Sequence, residues 1–374
     1  MRKRLLWILL VLVLGICASG CGKKEEEVSA PAEEGLSTED EIYAEEPEDT
    51  SSEEEEEEEE EIGPEGMYRS ELTNEWISED LKEQRPIAVM VDNEKTALPH
   101  YGLTRADVVY EMMNSTLNDQ ITRFMVLFKD YDSVDQIGSV RSVRPTNLMI
   151  APEWNAIVCH DGGPFYINTY LEKPHTDHFS GTFSRVNNGK PREFTEYILP
   201  GDMDKNFRNS SVSREYNEYR PTEPHFEFVS EKKPVKMEEK AGCFDCTLVD
   251  LPFGHNGSQL DYDEASETYL YSEYGSAHKD PGNNNEQLAF KNVILQKMTF
   301  SQLDSHGYMV WNCLGTGEGY YITNGKAIPI TWVKNAEQER TIYFDSTSDE
   351  IQVNTGKTYI GFVPDTRWSE LVVE

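Results

Sequence analysis

Arg85-Pro86-Ile87-Ala88-Val89-Met90-Val91-Asp92-Asn93 sets five apolar residues in a row ahead of an acid and an amide. A run this continuous lacks the alternation of a half-exposed strand. It predicts a strand buried on both faces that delivers polar side chains at its end. Val108 to Met113 and Ile121 to Phe128 predict further strands, and Ile157-Val158-Cys159 predicts another, closing on His160-Asp161-Gly162-Gly163. Between them Pro145 to Trp154 predicts a helix, since proline is well tolerated in a first helical turn. Residues 68–230 thus read as an α/β (or α+β) domain with polar clusters at strand ends, where open sheets tend to place ligands.

The second half, residues 231–374, reads as a β-rich domain, a small sandwich or barrel. Tyr269 and Tyr271, Val293 and Leu295, Tyr320 and Ile322, Ile328, Ile330 and Trp332, and Tyr359 and Gly361 recur at two-residue spacing. Asn324-Gly325 between two such runs predicts a hairpin whose central residues both take positive φ. Gly315-Thr316-Gly317-Glu318-Gly319 has no helix after it, so it reads as a turn or bulge and not as a nucleotide loop.

The other end of the chain decides its address. Arg2, Lys3 and Arg4 precede an uninterrupted apolar stretch, Leu5 to Ile16, and Ala18-Ser19-Gly20-Cys21 is a run of small residues ending in cysteine. Residues 1–21 therefore read as a lipoprotein signal peptide, with cleavage before Cys21 and acylation of its thiol, palmitate included. The apolar stretch is too short to span roughly 30 Å of hydrocarbon as a helix. The expectation is a lipid anchor on the extracytoplasmic face of the cell membrane, in a Gram-positive-type envelope.

The chain carries 69 Asp and Glu against 34 Lys and Arg, a net charge of -35 over 374 residues. Such a surface repels polyanions, so nucleic acid is not an expected partner. The acid is concentrated in residues 22–67, where Glu53 to Glu61 are nine glutamates in a row. That segment reads as a disordered tether, about 35 to 40 Å end to end before self-repulsion lengthens it.

At this point the residues carry a resemblance. Arg85-Pro86-Ile87-Ala88-Val89-Met90 with Asp92-Asn93, then Ala106-Asp107-Val108-Val109-Tyr110-Glu111, Ile121-Thr122-Arg123-Phe124, Ile137-Gly138-Ser139-Val140-Arg141-Ser142-Val143-Arg144-Pro145 and His160-Asp161-Gly162-Gly163 resemble the YerB-like lipoprotein family, a domain of unknown function (DUF3048). Tyr321 to Ile328 and Gly356 to Ile360 extend the likeness into the second half. The resemblance implies an N-terminal and a C-terminal domain and an envelope location. It brings no activity, so chemistry must come from the side chains.

Arg123, Arg141 and Arg144 stand out inside an acidic domain. Arginine presents paired planar donors, so converging guanidinium groups suit phosphate or carboxylate. Ser142, Asn93 and the N–H groups of the helix start at Pro145 could join them. The competing reading pairs these arginines with Glu111, Asp107 or Asp92. His160 is a candidate proton shuttle, with Asp92 or Asp161 as the second acid/base group; the plainer reading is a turn with its imidazole bonded to backbone. There is no Gly-x-Ser-x-Gly, Ser-x-x-Lys or His-Glu-x-x-His motif.

His175-Thr176-Asp177-His178 has metal-ligand residue types, but Lys173-Pro174 before it favours a loop, and neither metal nor cofactor is expected. Cys243-Phe244-Asp245-Cys246 reads as a local disulfide or two free thiols, and Cys159 and Cys313 as buried single thiols. Two function classes follow. One is a binding or accessory lipoprotein holding a cell-wall polymer, another anionic envelope component, or an envelope protein. The other is an envelope-modifying hydrolase or transferase acting on phosphodiester or glycosidic bonds.

Overall fold

The computed structural model describes residues 63–374. The signal peptide, Cys21 and nearly all of the Glu-rich linker lie outside the described residues. The strands that matter for the site are β1 (Ile87–Asp92), β2 (Val108–Met113), β3 (Thr122–Phe128), β4 (Ile157–His160), β5 (His178–Ser180), β6 (Phe244–Asp245), β7 (Leu248–Asp250), β8 (Gln259–Asp263), β9 (Thr268–Glu273), β10 (Asn292–Met298), β11 (Gly315–Thr323), β12 (Lys326–Lys334), β13 (Ile342–Phe344), β14 (Thr358–Pro364) and β15 (Val372–Val373).

Eleven strands make one mixed sheet in the order β6-β12-β11-β10-β14-β2-β3-β1-β4-β5, with β13 beside β12. The two sequence halves meet edge to edge inside it. β14 runs parallel to β2, Thr358 opposite Val108 and Phe362 opposite Met112, and parallel to β10 on its other side. The expected division at residues 230/231 is thus not a break in the sheet.

Continuous apolar strands follow from cores on both sides of this sheet. Ala88 and Met90 of β1 enter one core with Tyr110, Met112, Met125 and Leu127. Ile87, Val89 and Val91 enter the other with Val109, Phe124 and Val126. Adjacent side chains of a strand point to opposite faces, and burying each large aliphatic contributes about 1.5–3 kcal/mol. The even face of β1 is covered by α1 (Pro145–Ile150) and Trp154. The odd face is covered by a second, six-stranded sheet that includes β15, β7, β8 and β9, through Val249, Leu260, Tyr269 and Tyr271. The second half is mostly β, as expected, and is divided between half of the large sheet and this covering layer.

Helix is scarcer than the sequence suggested for the first half. Besides α1, the described residues hold only α2 (Asn168–Leu171) and α3 (Asp202–Arg208). The helix expected over 145–154 is α-helical for six residues and then tightens into a 3-10 turn, Ala151–Trp154. Pro152 has no N–H to continue the ladder, which accounts for the change.

The Asn324-Gly325 turn is as expected, with φ of 51° and 72° between β11 and β12. The glycine run 315–319 is not a turn: it is the start of β11. The glycines are there for room, since a Cβ on Gly317 would lie 2.6 Å from the Trp332 ring and one on Gly319 would run into the carbonyl of Leu295.

Candidate functional site

Asp92 closes β1 directly opposite Arg123 of β3. Its Oδ2 accepts from Arg123 Nη2 at 3.0 Å and from Arg141 Nε at 2.5 Å. Arg141 is brought there because its N–H bonds the carbonyl of Met90, laying its segment along the end of β1. Burial alone would raise the Asp92 carboxyl, but Arg123 and Arg141 outweigh it and hold the group below the usual carboxylate range. Arg123 also donates from Nη1 to the carbonyl of Ser142, 2.8 Å. The Ser142 hydroxyl points elsewhere, to the carbonyl of Asp161.

Arg144 completes the cluster without completing the charge balance. It donates to the carbonyl of Val143 at 3.1 Å and lies 5.1 Å from the Tyr308 ring centre. Among the described residues it has no carboxylate partner. Its Nε and that of Arg123 are buried without an acceptor. Burial, reinforced by Arg123 and Arg141, pushes Arg144 down to about 9, which reflects how poorly this position accommodates a third positive charge. Three guanidinium groups face one buried carboxylate, with Glu193 as a half-exposed second partner of Arg141. Arg123 and Arg144 line a narrow cavity of about 10 Å³ together with Met112, Met309 and Trp311, room for about one water. Asn147 Oδ1 caps the helix start by accepting the Arg144 N–H, and α1 has only six residues, so the site is a guanidinium site rather than a helix-terminus site.

The side chains of the remaining candidates are bonded to other partners. Asn93 turns to the opposite face of the sheet, where Nδ2 donates to Glu111 Oε1 at 3.1 Å and to Thr122 Oγ1 at 2.8 Å. Strand alternation accounts for this, since a side chain one residue after Asp92 belongs on the other side. His160 faces His178 and not the arginines: Nδ1 lies 2.8 Å from the carbonyl of Gly162 and Nε2 3.2 Å from His178 Nδ1. Burial, with His178 beside it, lowers His160 to about 4, so its imidazole is neutral at physiological pH. Asp161 pairs with Arg185, 2.7 Å, and Arg185 also holds the buried Glu196. His175 bonds Glu337 and Gln338, and is not brought into a ligand set with His178. Cys159, Cys243, Cys246 and Cys313 are all free thiols.

Of the three carboxylates considered as arginine partners, only Asp92 serves. Asp107 accepts the Lys129 N–H. Glu111, wholly buried, gathers neutral donors: Thr122, Asn256 and Ser258 besides Asn93 on Oε1, and Tyr271 at 3.0 Å and Tyr359 at 2.7 Å on Oε2. Burial raises its pKa against these hydrogen bonds. The sequence signal for this network was an acid in the interior of an apolar strand, Val108 to Met113, where an ionisable group is rarely buried without partners.

Comparison with known proteins fits this architecture. The DUF3048 N-terminal domain model, described as a protein of unknown function, matches residues 72–216, and the DUF3048 C-terminal domain model matches residues 249–360. The chain belongs to the DUF3048 family. It is 24% identical over 309 residues to "Putative lipoprotein YerB" of Bacillus subtilis (strain 168), covering 79% of this chain and 86% of that protein. The crystal structure of YerB from Bacillus subtilis superimposes with a TM-score of 0.69 at 23% identity, over 82% of this chain and 99% of that one. The relative's name agrees with the lipoprotein character read from residues 1–21. Within the described residues no helix is long and apolar enough to cross a membrane.

Proposed function

We propose that this DUF3048 protein is a binding or accessory lipoprotein, anchored through acylated Cys21 on the extracytoplasmic face of the membrane. Its arginine cluster would hold an anionic group of an envelope component or partner. The observation that carries this reading is Arg144, a largely buried guanidinium with no carboxylate partner among the described residues, beside two arginines that share Asp92. A phosphate or carboxylate approaching the partly exposed Arg144 from solvent would meet a forked donor whose charge is already fixed in place. The overall negative charge makes such a local site selective, since it repels polyanions everywhere else.

The hydrolytic alternative finds less support. Asp92 is held by two arginines, both nitrogens of His160 have partners, and Asp161 is paired with Arg185. The test is to incubate the protein with cell-wall glycan fragments and anionic wall polymer, following both retention and product mass, with Arg141→Ala alongside. Retention without turnover, weakened in the variant, is the expected result. New product masses that vanish in the variant would establish an enzyme instead, and no retention of any fragment would end the anion-binding reading.

A further inference from the structure

On the face of the sheet opposite the arginines, three residues from distant parts of the chain converge. The ligand-capable atoms of His100, Glu273 and His278 all lie within 4.8 Å of one another. His278 Nδ1 and Glu273 Oε1 are 2.8 Å apart, and the His100 and His278 rings lie 5.0 Å apart between centres. All three side chains are buried, with relative exposures of 0%, 2% and 4% for His100, Glu273 and His278. Phe124 and Tyr271 pack edge-on against these imidazoles and fix their positions.

The cluster is built at a cost that its own hydrogen bonds do not offset. Both nitrogens of His100, Nε2 of His278 and Oε2 of Glu273 are buried with no hydrogen-bond partner. Leaving such groups unpaired is costly, so native interiors keep few of them. Four in three touching residues point to something they hold in common. Two imidazoles and one carboxylate form a mixed nitrogen and oxygen set that suits zinc and its first-row neighbours. Calcium and magnesium prefer oxygen ligands.

We propose that His100, Glu273 and His278 bind one zinc-class divalent cation, with one ring nitrogen from each histidine, one carboxylate oxygen, and a fourth position open to solvent. Binding would draw the three ligand atoms in from their present separations to the distances of about 2.0–2.2 Å from the metal that a tetrahedral zinc requires. Glu273 and His278 also line an open cleft with Lys95, Pro99, Tyr274 and Lys279. That cleft is the side from which the fourth position is reached, and its two lysines favour an anionic or water-derived fourth ligand. Three protein ligands with one open position is the pattern of zinc sites that work on a ligand, rather than of closed structural sites.

The test uses the full chain purified in detergent, stripped with a chelator and titrated with Co(II), then with Zn(II) in competition. One equivalent of Co(II) should bind, with the visible absorption of a low-coordinate site, and Zn(II) should displace it. His100→Gln and His278→Gln should weaken binding by at least about tenfold, while His306→Gln, at an exposed histidine elsewhere, should leave it unchanged. Zn(II) at roughly 100 times its Kd should also raise the Tm of the wild-type protein by at least about 3 °C, and of neither ligand variant. Should a histidine variant fail to fold, Glu273→Gln carries the same comparison. No stoichiometric binding to the wild type, or binding and a Tm rise that persist in the folded ligand variants, would overturn the proposal.

Discussion

Replacing His160 with glutamine should remove a defined part of the protein's sensitivity to acid. His160 is 1% exposed, and burial with His178 beside it lowers its pKa to about 4, against about 6.5 for a free histidine. Between those two pH values the unfolded chain takes up a proton at this position and the folded chain does not. Stability is therefore complete above about pH 6.5, falls as the pH drops, and stops falling on this account near pH 4. A gap of about 2.5 units at about 1.36 kcal/mol each gives roughly 3 kcal/mol. The assay is urea unfolding followed by tryptophan fluorescence from about pH 7.5 to about pH 4. The stability of His160→Gln should fall by about 3 kcal/mol less over that range than that of the wild type, whatever its stability at neutral pH. Parallel curves for the two proteins would refute the reasoning, since the buried imidazole would then not be the group excluding the proton.

Other expectations follow from the same structure. Glu153→Gln should destabilise the protein by about 3–5 kcal/mol in urea unfolding, because buried Glu153 pairs with buried Lys334 at 2.9 Å and also accepts from Tyr110 and Thr341. Asp92→Asn should cost about 3 kcal/mol of stability by leaving Arg123 and Arg141 without their shared carboxylate, yet tighten the binding of inorganic phosphate measured by calorimetry. Gly319→Ala should cost more than about 2 kcal/mol by thermal unfolding, since the added Cβ meets the Leu295 carbonyl between β10 and β11. A tolerated Gly319→Ala would show that this strand pair is looser than described.

The strands were legible in the sequence because burial on both faces leaves a local mark, an apolar run such as Ile87 to Val91. The turn at Asn324-Gly325 was legible because its backbone demands those residue types. The pairing that joins the two halves was not, since nothing local to Thr358 marks it as the neighbour of Val108. Arg141 and Arg144 could be read as a unit because they are three residues apart, and Arg123 because the strand carrying it was clear. Asn93 was named beside the arginines because it follows Asp92 at the strand's end, whereas strand alternation turns it to Glu111 and Thr122. Glu111 and its donors, like His100, Glu273 and His278, come from segments with no characteristic spacing, and only the folded sheet assembles them.

The central claim is that Arg144 is a charge kept for an anionic ligand. Its most direct test is calorimetric titration of the wild-type protein, Arg144→Gln and Arg367→Gln with pyrophosphate at low and moderate salt, Arg367 being already paired with Glu370. The account predicts binding to the wild type that weakens as salt rises, is preserved in Arg367→Gln, and falls by at least about tenfold in Arg144→Gln, equivalent to about 1.4 kcal/mol. Equal binding by wild type and Arg144→Gln, or none by either, would contradict it.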